Sequence, residues 1–552
     1  MGRAADMPAT DRTHAVEGGP RTLSHFALLT TVLVIAATLR LVAINSQGLW
    51  GDEGLTLSLV HWPLRDLLLE PVDPTPALYY ALHKALGFHP DASAGWIRSI
   101  AFLCGLAAVG LMYLLGRLAL GARAGLLAAA LLAVWPGHID HSQEARSYAL
   151  LFVLTLASAT SLLWWHRAAE GEHRMRRIGA LACFVLTTAL SFYAHMVAVF
   201  WILLALQIFL LTALTARRKR IGEAAAALVT MAVLAIPGLI RIVRQFGVPT
   251  NFNWLRQATP SEFLDKTANV LLPFESWWLR GAFIAVALGL LWAARKQSSS
   301  RPAPDTVTQL ILLAFLFLPV LIWGFGFSIR PIFMERTILF AIPGSILAIV
   351  AVVNALPGNR LRDGVAVLSV AAIASTLLFH GTMRPREDWR GAHEVLARDA
   401  RSGDVVLLCA WQFPSLRHAA VRPLPVPLVY VASATPLMFE RTLGERPDWD
   451  RIFFRYDLLP VTRQSDRGAL VETKVDVASG GRLWLVESDC PEESRAAVLQ
   501  QVGGDAWQPH WASAPTRPER AEIRVSRKVA TDAITIPALI PPEVLSGSVA
   551  AR

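Results

Sequence analysis

Charged residues are scarce in this sequence. Asp, Glu, Lys and Arg together make up 17% of the 552 residues, whereas hydrophobic residues make up 54%. An ordinary soluble domain contains about 25% charged residues, so the composition excludes a soluble protein as the main part of the chain. The net charge of +10 does not predict a nucleic-acid partner, because the basic residues cluster in short connectors between apolar runs, as in membrane proteins.

Cysteine is also rare, and the four cysteines lack the spacing of zinc ligands. Cys104 and Cys183 lie within apolar runs and are expected as small core residues. Cys409 and Cys490 fall in the polar C-terminal part. A disulfide between them is one hypothesis if that part lies outside the cytosol. A glycine-rich nucleotide loop is absent as well.

Long apolar runs are what the chain has in abundance. The first, residues 24–44, is longer than the apolar core of a signal peptide, so we expect it to remain as the first helix. Ten further runs can span a membrane, the short second one only with help from its flanks: 96–115, 124–137, 148–166, 178–194, 196–214, 224–240, 279–294, 308–326, 337–356 and 363–380. The sequence therefore predicts an all-α polytopic membrane protein with about 11 transmembrane helices.

The connectors between these runs divide into two sets by charge. One set holds the basic residues at 117–123, 174–177, 217–220, 295–296 and 360–362, whereas the loop at 45–95 is mainly acidic. The positive-inside rule places the basic set and the N-terminus in the cytosol and the chain beyond the last helix outside. The loop at 241–276 is an exception, since it carries four basic residues on the side assigned to the outside.

The composition changes at about residue 384. Charged residues return, with β-type runs at 405–411, 426–431, 482–487 and 522–529 and helical patterns at 391–401 and 491–502. These patterns predict a C-terminal extracytoplasmic α/β domain. The division of the chain that we expect is a cytoplasmic tail at 1–23, a transmembrane catalytic module at 24–383 with an outer loop at 45–95, the soluble α/β domain at 384–530 and a loosely ordered end at 531–552.

Asp52 and Glu53 form the first cluster of candidate functional residues. They follow the first helix in the stretch Gly48-Leu49-Trp50-Gly51-Asp52-Glu53-Gly54. Charges beside membrane-embedded segments are costly and are functional candidates by default. A carboxylate here is suited to take a proton from an attacking hydroxyl. The alternative is a solvated loop whose Asp caps the helix that follows.

The second cluster lies at the junction of the third and fourth spans, between His138 and Tyr148. Glu144 and Tyr148 share a helical face if this stretch is helical, and Arg146 lies between them. A divalent metal site at His138, His141 and Glu144 is one hypothesis, because imidazole and carboxylate suit several ions. The alternative is an interfacial tyrosine beside solvated charges.

The third group adds positive charge on the same side. Arg330 and Arg336 flank the start of the tenth span, and His195 lies in an outer turn. Arginine suits phosphate binding, so the pair is a candidate for holding a lipid phosphate; the alternative is headgroup snorkelling for the arginines and a structural role for the histidine. Three such clusters on one face favour transfer of a group from a lipid phosphate to an outer acceptor.

These residues together resemble the bacterial members of the GT-C superfamily of glycosyltransferases. This superfamily includes the protein O-mannosyltransferases (glycosyltransferase family 39) and the lipid A aminoarabinose transferase. The resemblance rests on an ordered set of motifs covering about residues 25–395: Trp50-Gly51-Asp52-Glu53, Gln143-Glu144-Ala145-Arg146-Ser147-Tyr148, Phe192-Tyr193-Ala194-His195, Arg330-Pro331 with Glu335-Arg336, and Glu387-Asp388-Trp389-Arg390. It implies a GT-C fold in a bacterial inner membrane, with the C-terminal domain in the periplasm.

The resemblance also implies roles for single residues. Asp52 would activate the acceptor hydroxyl with support from Glu53, Glu144 would lie near the sugar, and Arg146 and Arg336 would hold the lipid phosphate. The donor would be a sugar on a polyprenyl phosphate, and the acceptor would be a protein, lipid A or a glycan. A non-catalytic polysaccharide-assembly subunit, a polytopic transporter and a polyprenyl-linked oligosaccharide ligase remain as alternatives.

Overall fold

The computed structural model describes most of the transmembrane region and the core of the C-terminal domain. The described residues are 20–42, 44–45, 48–60, 64–69, 76–87, 93–168, 174–215, 219–246, 256–296, 304–378, 387–401, 404–409, 428–431, 471–477, 479–488, 495–496, 499, 507–513, 523–531 and 534–540. Cys490, most of the predicted helix at 491–502 and the tail at 1–19 lie outside these ranges.

Helices account for most of the described residues in the first 400 positions. In chain order they are α1 (Pro20–Leu41), α2 (Gly51–Val60), α3 (Leu64–Leu69), α4 (Leu78–Ala85), α5 (Ala94–Ile97), α6 (Ser99–Leu120), α7 (Ala122–Ala133), α8 (Pro136–Ser142), α9 (Tyr148–Arg167), α10 (Arg174–Ala194), α11 (Ala198–Thr215), α12 (Lys219–Phe246), α13 (Pro260–Leu271), α14 (Trp277–Lys296), α15 (Thr306–Ser328), α16 (Glu335–Ile338), α17 (Ile342–Ala355), α18 (Asn359–Ser375) and α19 (Trp389–Asp399), with 3₁₀ turns at Leu339–Ala341 and Thr376–Leu378.

The prediction of a polytopic membrane fold is confirmed. Eight helices of the described chain are long and apolar enough to cross a membrane, and α7 with α8 adds a ninth if that pair, bent by 65°, is one span. Shorter apolar helices lie within α1 and α14. These positions coincide with the eleven apolar runs, and the short run at 124–137 is the one that the structure bends.

Small residues let α6 and α7 pack closely. A Cβ atom on Gly125 of α7 would lie 2.5 Å from the carbonyl oxygen of Tyr113 in α6, and one on Gly116 would lie 3.0 Å from the Cβ of Ala128. No side chain larger than hydrogen fits at Gly125 without a shift of the backbone. Small residues at helix contacts are a common means of close packing in membranes.

A buried arginine supports the bend between α7 and α8. Pro136 begins α8 and cannot continue the hydrogen bonds of α7, which leaves carbonyl groups at the end of α7 without helical partners. Arg40 of α1 donates to the carbonyl oxygens of Leu132 and Ala133 at 3.2 and 3.1 Å. The guanidinium of Arg40 therefore ties α1 to the bend and fixes where α8 starts.

The C-terminal domain contains a mixed sheet, so the predicted α/β class is confirmed. Its strands are β1 (Val405–Cys409), β2 (Leu428–Val431), β3 (Val471–Val477), β4 (Arg482–Glu487), β5 (Gln508–Ala512), β6 (Arg524–Val529) and β7 (Ile534–Ile540). The order across the sheet is β3-β7-β2-β1-β4-β6-β5. Parallel pairing joins β1 to β2 and to β4 at the centre, and antiparallel pairs extend both edges.

Four strands coincide with the predicted β-type runs, and three do not. Strands β3 and β5 fall where no strand was predicted, and β7 lies in the stretch predicted as a loosely ordered end. The antiparallel pairing of β7 with β3 runs from Val471↔Ile540 to Val477↔Ile534. The sheet therefore extends past residue 530, because β7 lies between β2 and β3 and joins β3 to the rest of the sheet.

Candidate active site

Glu53 is the structural anchor of the segment between α1 and α6. It is fully buried, and its carboxylate accepts hydrogen bonds from the Nε and Nη2 atoms of Arg98 at 2.7 and 2.6 Å. The backbone N–H of Ala145 donates to the same carboxylate at 2.8 Å. Glu53 thus joins α2 to the junction that precedes α9.

The capping alternative applies to Glu53 rather than to Asp52. Trp50 precedes α2, and its backbone N–H donates to Glu53 Oε2 at 3.3 Å. A carboxylate at the third helical position that reaches back to the residue before the helix is half of a capping box. Because Glu53 fills this role, Asp52 in the same turn keeps its carboxylate for other partners.

Arg98 is a site-supporting residue that the sequence reasoning did not find. Besides its pair with Glu53, it donates to the carbonyl oxygens of Ile44 and Gly48 at 2.8 and 2.9 Å. Its guanidinium therefore holds the chain between α1 and α2 in place. The only signal in the sequence is an arginine near the start of an apolar run, which is equally typical of a headgroup contact.

Asp52 lies where three separate segments of the chain meet. Its Oδ2 atom accepts a hydrogen bond from Arg336 Nη1 at 2.8 Å, and Arg146 Nε lies 4.0 Å from the same oxygen. The Asp52 side chain is 13% exposed, in contrast to the fully buried Glu53. Asp52 is thus a partly exposed carboxylate between two guanidinium groups. It lies in the first turn of α2, which the Glu53–Arg98 ion pair fixes in place.

The C-terminal segment also holds the start of α2. Glu387 is buried, and its Oε2 atom accepts hydrogen bonds from the backbone N–H of Gly51 at 3.1 Å and from Trp389 Nε1 at 3.0 Å. Gly51 is the residue directly before Asp52. The chain that leads into the C-terminal domain therefore contributes to the position of Asp52, although 335 residues separate Asp52 from Glu387 in the sequence.

The segment that precedes α9 carries several of the predicted site residues. Gln143 donates through Nε2 to the carbonyl oxygens of Leu39, Arg40 and Val42 at the end of α1, at 3.1, 3.1 and 2.7 Å. This contact fixes the segment to α1 and turns Glu144 and Arg146 inward, where both are buried. Oε2 of Glu144 lies 2.9 Å from His141 Nδ1.

Aromatic contacts bring His195 and Arg336 to the same place. The ring of Tyr148 lies 5.3 Å from that of His195 and 5.3 Å from that of His141, centroid to centroid. Arg336 Cζ lies 6.0 Å from the Tyr148 ring centroid, at the limit of a cation–π contact. The structure thus gathers Asp52, Glu144, Arg146, Tyr148, His195 and Arg336 into one cluster; Arg330 lies half-buried in the extended stretch before α16.

The hypothesis of a metal site at His138, His141 and Glu144 is wrong for this arrangement of side chains. Over the described ranges, no group of three His, Cys, Asp or Glu side chains is placed to hold a metal ion. The physical reason is the direction of His138, whose Nδ1 accepts a hydrogen bond from Arg40 at 2.7 Å and whose ring packs on Phe152. Because Arg40 occupies Nδ1 of His138, His141 and Glu144 lack the third ligand that the hypothesis required.

A second hydrogen-bond network, formed by residues of α13 and α14, fixes the position of Arg336. Its neighbour Glu335 accepts a hydrogen bond from Asn269 Nδ2 at 2.8 Å, and Asn269 in turn accepts one from Arg280, which is buried. Arg280 Cζ also lies 4.9 Å from the centroid of the Trp277 ring. Helices α13 and α14 thereby fix the start of α16, where Arg336 lies. Asn269 lies in the loop at 241–276 whose charge departed from the topology rule.

His83 of α4 contacts α5, which directly precedes Arg98. Its Nδ1 lies 3.0 Å from the carbonyl oxygen of Tyr79 and its Nε2 lies 2.9 Å from that of Ile97. Burial lowers the pKa of His83, and the two carbonyl contacts act in the opposite direction. A neutral imidazole has one N–H to donate, so His83 bridges α4 and α5 with one strong contact.

The fold can be compared with solved structures. The chain is similar to ArnT from Cupriavidus metallidurans in the apo state, with 14% identity over 91% of this chain and 98% of that chain and a TM-score of 0.50. The same protein bound to undecaprenyl phosphate gives 14% identity, 90% and 98% coverage and a TM-score of 0.50. Arabinosyltransferase EmbB from Mycobacterium smegmatis gives 12% identity, 96% and 66% coverage and a TM-score of 0.41. No protein-family model and no curated protein sequence matches the chain.

These similarities concern the fold. The chain shares its fold with ArnT over 91% of its length, and it is a multi-pass membrane protein. The predicted GT-C fold is therefore confirmed. The chemistry of the cluster around Asp52 has to be argued from its own residues.

Proposed function

We propose that the chain is a glycosyltransferase that moves a sugar from a polyprenyl-phosphate donor to an acceptor on the extracytoplasmic face of the membrane. The observation that carries this proposal is the placement of the Asp52 carboxylate within 2.8 Å of Arg336 and 4.0 Å of Arg146. One general base and two permanent cations in a largely buried cluster are what transfer from a phosphate requires.

The reaction assigns one role to each charge. Asp52 accepts the proton of the acceptor hydroxyl as its oxygen forms a bond to the anomeric carbon of the donor sugar. The bond between that carbon and the phosphate oxygen breaks, and its electron pair stays on the polyprenyl phosphate. Arg336 and Arg146 stabilise the added negative charge of the leaving phosphate; donors in a site of this kind are each worth about 3 kcal/mol.

The Arg336–Asp52 contact suggests how donor binding controls the general base. While Arg336 donates to Asp52, the Oδ2 atom of the carboxylate is occupied by that hydrogen bond and cannot face an acceptor hydroxyl. A donor phosphate carries more negative charge and competes for the same guanidinium. Donor binding would then release Asp52, so that the base becomes effective when a sugar is in place.

The donor class rests on three lines of support. ArnT, whose fold the chain shares, was crystallised with undecaprenyl phosphate. The motifs resemble a superfamily that uses polyprenyl-phosphate sugars, and the sequence has no glycine-rich nucleotide loop. Glu144 with His141, Tyr148 and His195 form the part of the cluster that we assign to the sugar and acceptor. The acceptor class (protein, lipid A or glycan) is open.

The location proposed for this activity is a bacterial inner membrane. The N-terminus would be cytoplasmic, since the basic connectors lie at the end of the bundle opposite Asp52. The domain that begins after the last span would then be periplasmic, where Glu387 meets Gly51. The transmembrane module and the C-terminal domain would together form the active site.

The donor class is tested by transfer in proteoliposomes. Purified protein is supplied with sugars on polyprenyl phosphate or on nucleotides, and transfer to lipid A, peptide and glycan acceptors is measured. We expect transfer from polyprenyl-phosphate donors only, and a KM for the donor raised at least about tenfold by Arg336→Gln. Arg256→Gln, which removes an exposed arginine paired with Glu262, is the control. Transfer from nucleotide sugars alone would refute the proposal.

A further inference from the structure

Helix α19 connects the C-terminal sheet with the start of α2. Two residues before α19, Glu387 accepts hydrogen bonds from the Trp389 side chain and from the backbone N–H of Gly51. At the same end of the helix, Arg390 Nη2 donates to the carbonyl oxygen of Asn45 at 3.4 Å. The beginning of α19 is therefore bound to the chain that leads into the first turn of α2.

The other end of α19 is bound to the sheet. Its last residue, Asp399, accepts a hydrogen bond from His510 Nε2 of β5 at 2.7 Å. The backbone carbonyl oxygen of Asp399 accepts another from Arg482 Nη2 of β4 at 3.1 Å. Arg482 is in turn held by the Asp404 carboxylate, at 3.0 and 2.6 Å. Two strands of the sheet thus fix the last turn of α19.

The Asp399 carboxylate is charged over the whole physiological pH range. The Arg398 guanidinium and, to a smaller extent, the His510 contact hold the pKa of Asp399 well below its ordinary range. A hydrogen bond to a charged carboxylate is roughly twice as strong as one between neutral groups. The His510–Asp399 contact is therefore a strong connection between α19 and β5, although both side chains are 25% exposed.

Helix α19 also lies directly on β5 near its first turn. A Cβ atom on Gly391 would come within 2.7 Å of Cζ2 of the Trp511 ring. Trp511 follows His510 in β5, so the helix contacts this strand both near its start and at its last residue. The 11 residues of α19 span about 16 Å. A displacement of β5 is therefore transmitted along α19 toward Glu387.

We propose that the C-terminal sheet sets the position of Asp52 through α19, with His510 as a positioning residue for the general base. Strands β4 and β5 fix the last turn of α19, and its beginning fixes Glu387, which holds the backbone N–H of Gly51. Gly51 directly precedes Asp52 in the chain. The role in catalysis rests on the proposed function, whereas the structural link from β5 to α2 does not.

Hydrogen exchange of the full chain in detergent tests this link without substrate. His510→Ala removes the contact with Asp399, and we expect the amide exchange of residues 50–56 to rise at least about threefold, because the first turn of α2 opens more often. His510→Gln keeps a side-chain N–H donor and should retain most of the protection. Gln508→Ala removes an exposed side chain of the same strand and is the matched control.

The position of the change in exchange decides the outcome. Exchange of β4 should stay at the wild-type level in these variants, because the sheet remains folded. Asp399→Asn keeps the size of the side chain and weakens the same contact from the other partner, so it should also raise the exchange of residues 50–56. Unchanged exchange of residues 50–56 in both variants would overturn the proposal. An equal rise in Gln508→Ala, or an equal rise in β4, would overturn it as well.

A double-mutant cycle with Glu387→Ala connects the contact to transfer in proteoliposomes. We expect His510→Ala to lower kcat at least about threefold and to change the KM of the donor by less than about twofold, because α19 acts on the helix that carries Asp52. In the Glu387→Ala background, His510→Ala should have no further effect, since the link passes through Glu387. Additive losses of kcat would contradict the proposal. If the wild type transfers no sugar, the proposed function fails, and the exchange of residues 50–56 still decides the link.

Discussion

Arg98 and Glu53 form a buried two-point ion pair that joins α2 to the chain just before α6. The pair measures 2.7 and 2.6 Å between guanidinium nitrogens and carboxylate oxygens, and both side chains are almost completely buried. Glu53 also accepts the N–H of Ala145, and Arg98 also donates to the carbonyl of Gly48. The pair therefore determines where the neighbouring Asp52 carboxylate lies.

Removing one member of this pair should destabilise the protein. Glu53→Gln leaves the Arg98 charge buried without a counter-charge, which costs about 3–5 kcal/mol in comparable sites. We expect a marked fall in the melting temperature of the detergent-solubilised protein. Glu262→Gln, which breaks the exposed pair with Arg256 but keeps an oxygen for the Thr259 N–H, should leave the melting temperature nearly unchanged. Equal melting temperatures for the two variants would contradict the anchoring role of Glu53.

Glu387 should matter for activity more than for stability. Glu387→Ala removes the acceptor for the Gly51 N–H and frees the first turn of α2; losing such a bond costs about 1.5–3 kcal/mol. We expect kcat to fall at least tenfold, and Glu387→Gln, which keeps one acceptor oxygen, to lose less. The control is Asp388→Ala, which removes the cap of α19 at Gly391. If both alanine variants lower kcat equally, the contact with α2 has no specific role.

The close contact of α6 and α7 gives a prediction about packing. Gly125→Ala places a methyl group 2.5 Å from the Tyr113 carbonyl oxygen, so the helices have to separate. Overpacking of this kind costs about 1–3 kcal/mol. Gly110→Ala in α6 is the matched control, since a Cβ there meets nothing within 4 Å. Thermal unfolding should separate the two variants, and an unchanged melting temperature for Gly125→Ala would be evidence against the close packing.

His83 predicts a dependence of stability on pH. Burial lowers its pKa in the folded protein below the ordinary value, so the unfolded chain binds the proton more readily. Stability should therefore fall as pH decreases through the pKa of the unfolded chain, about 6.5, toward the lower folded pKa. We expect the melting temperature to drop between pH 7.5 and pH 5.5 in the wild type and to drop less in His83→Gln. An equal drop in both would assign the effect to other groups, and His25→Gln serves as the control.

The fold was predictable because its main signal is local. Apolar runs such as 148–166 identify a helix without reference to any other part of the chain, and α9 begins and ends within one residue of that run. The clusters around Asp52 and Glu144 were also found from the sequence, since charged residues beside apolar runs are conspicuous. What joins these clusters is not local: the Arg336–Asp52 contact links residues 284 positions apart.

The remaining differences between the predictions and the structure come from side-chain directions and from pairing between distant strands, neither of which a local sequence pattern contains. His138, His141 and Glu144 have a spacing compatible with metal binding, but His138 turns to Arg40, which approaches from α1. Arg40 and Arg98 carry no local signal that separates buried anchors from headgroup contacts. Strand β7 was missed because the residues that pair with it in β3 and β2 lie 57 to 109 positions earlier, from Val477↔Ile534 to Tyr430↔Leu539.

The central claim concerns Asp52 and is tested most directly by Asp52→Asn in the proteoliposome assay. The variant keeps the size of the side chain and removes its ability to accept a proton, so transfer should fall at least about a hundredfold. Donor binding, measured separately, should be unchanged or tighter, because Arg336 is released for the phosphate. Transfer at the wild-type rate by the folded variant would contradict the account and would leave Glu144 as the next candidate for the base.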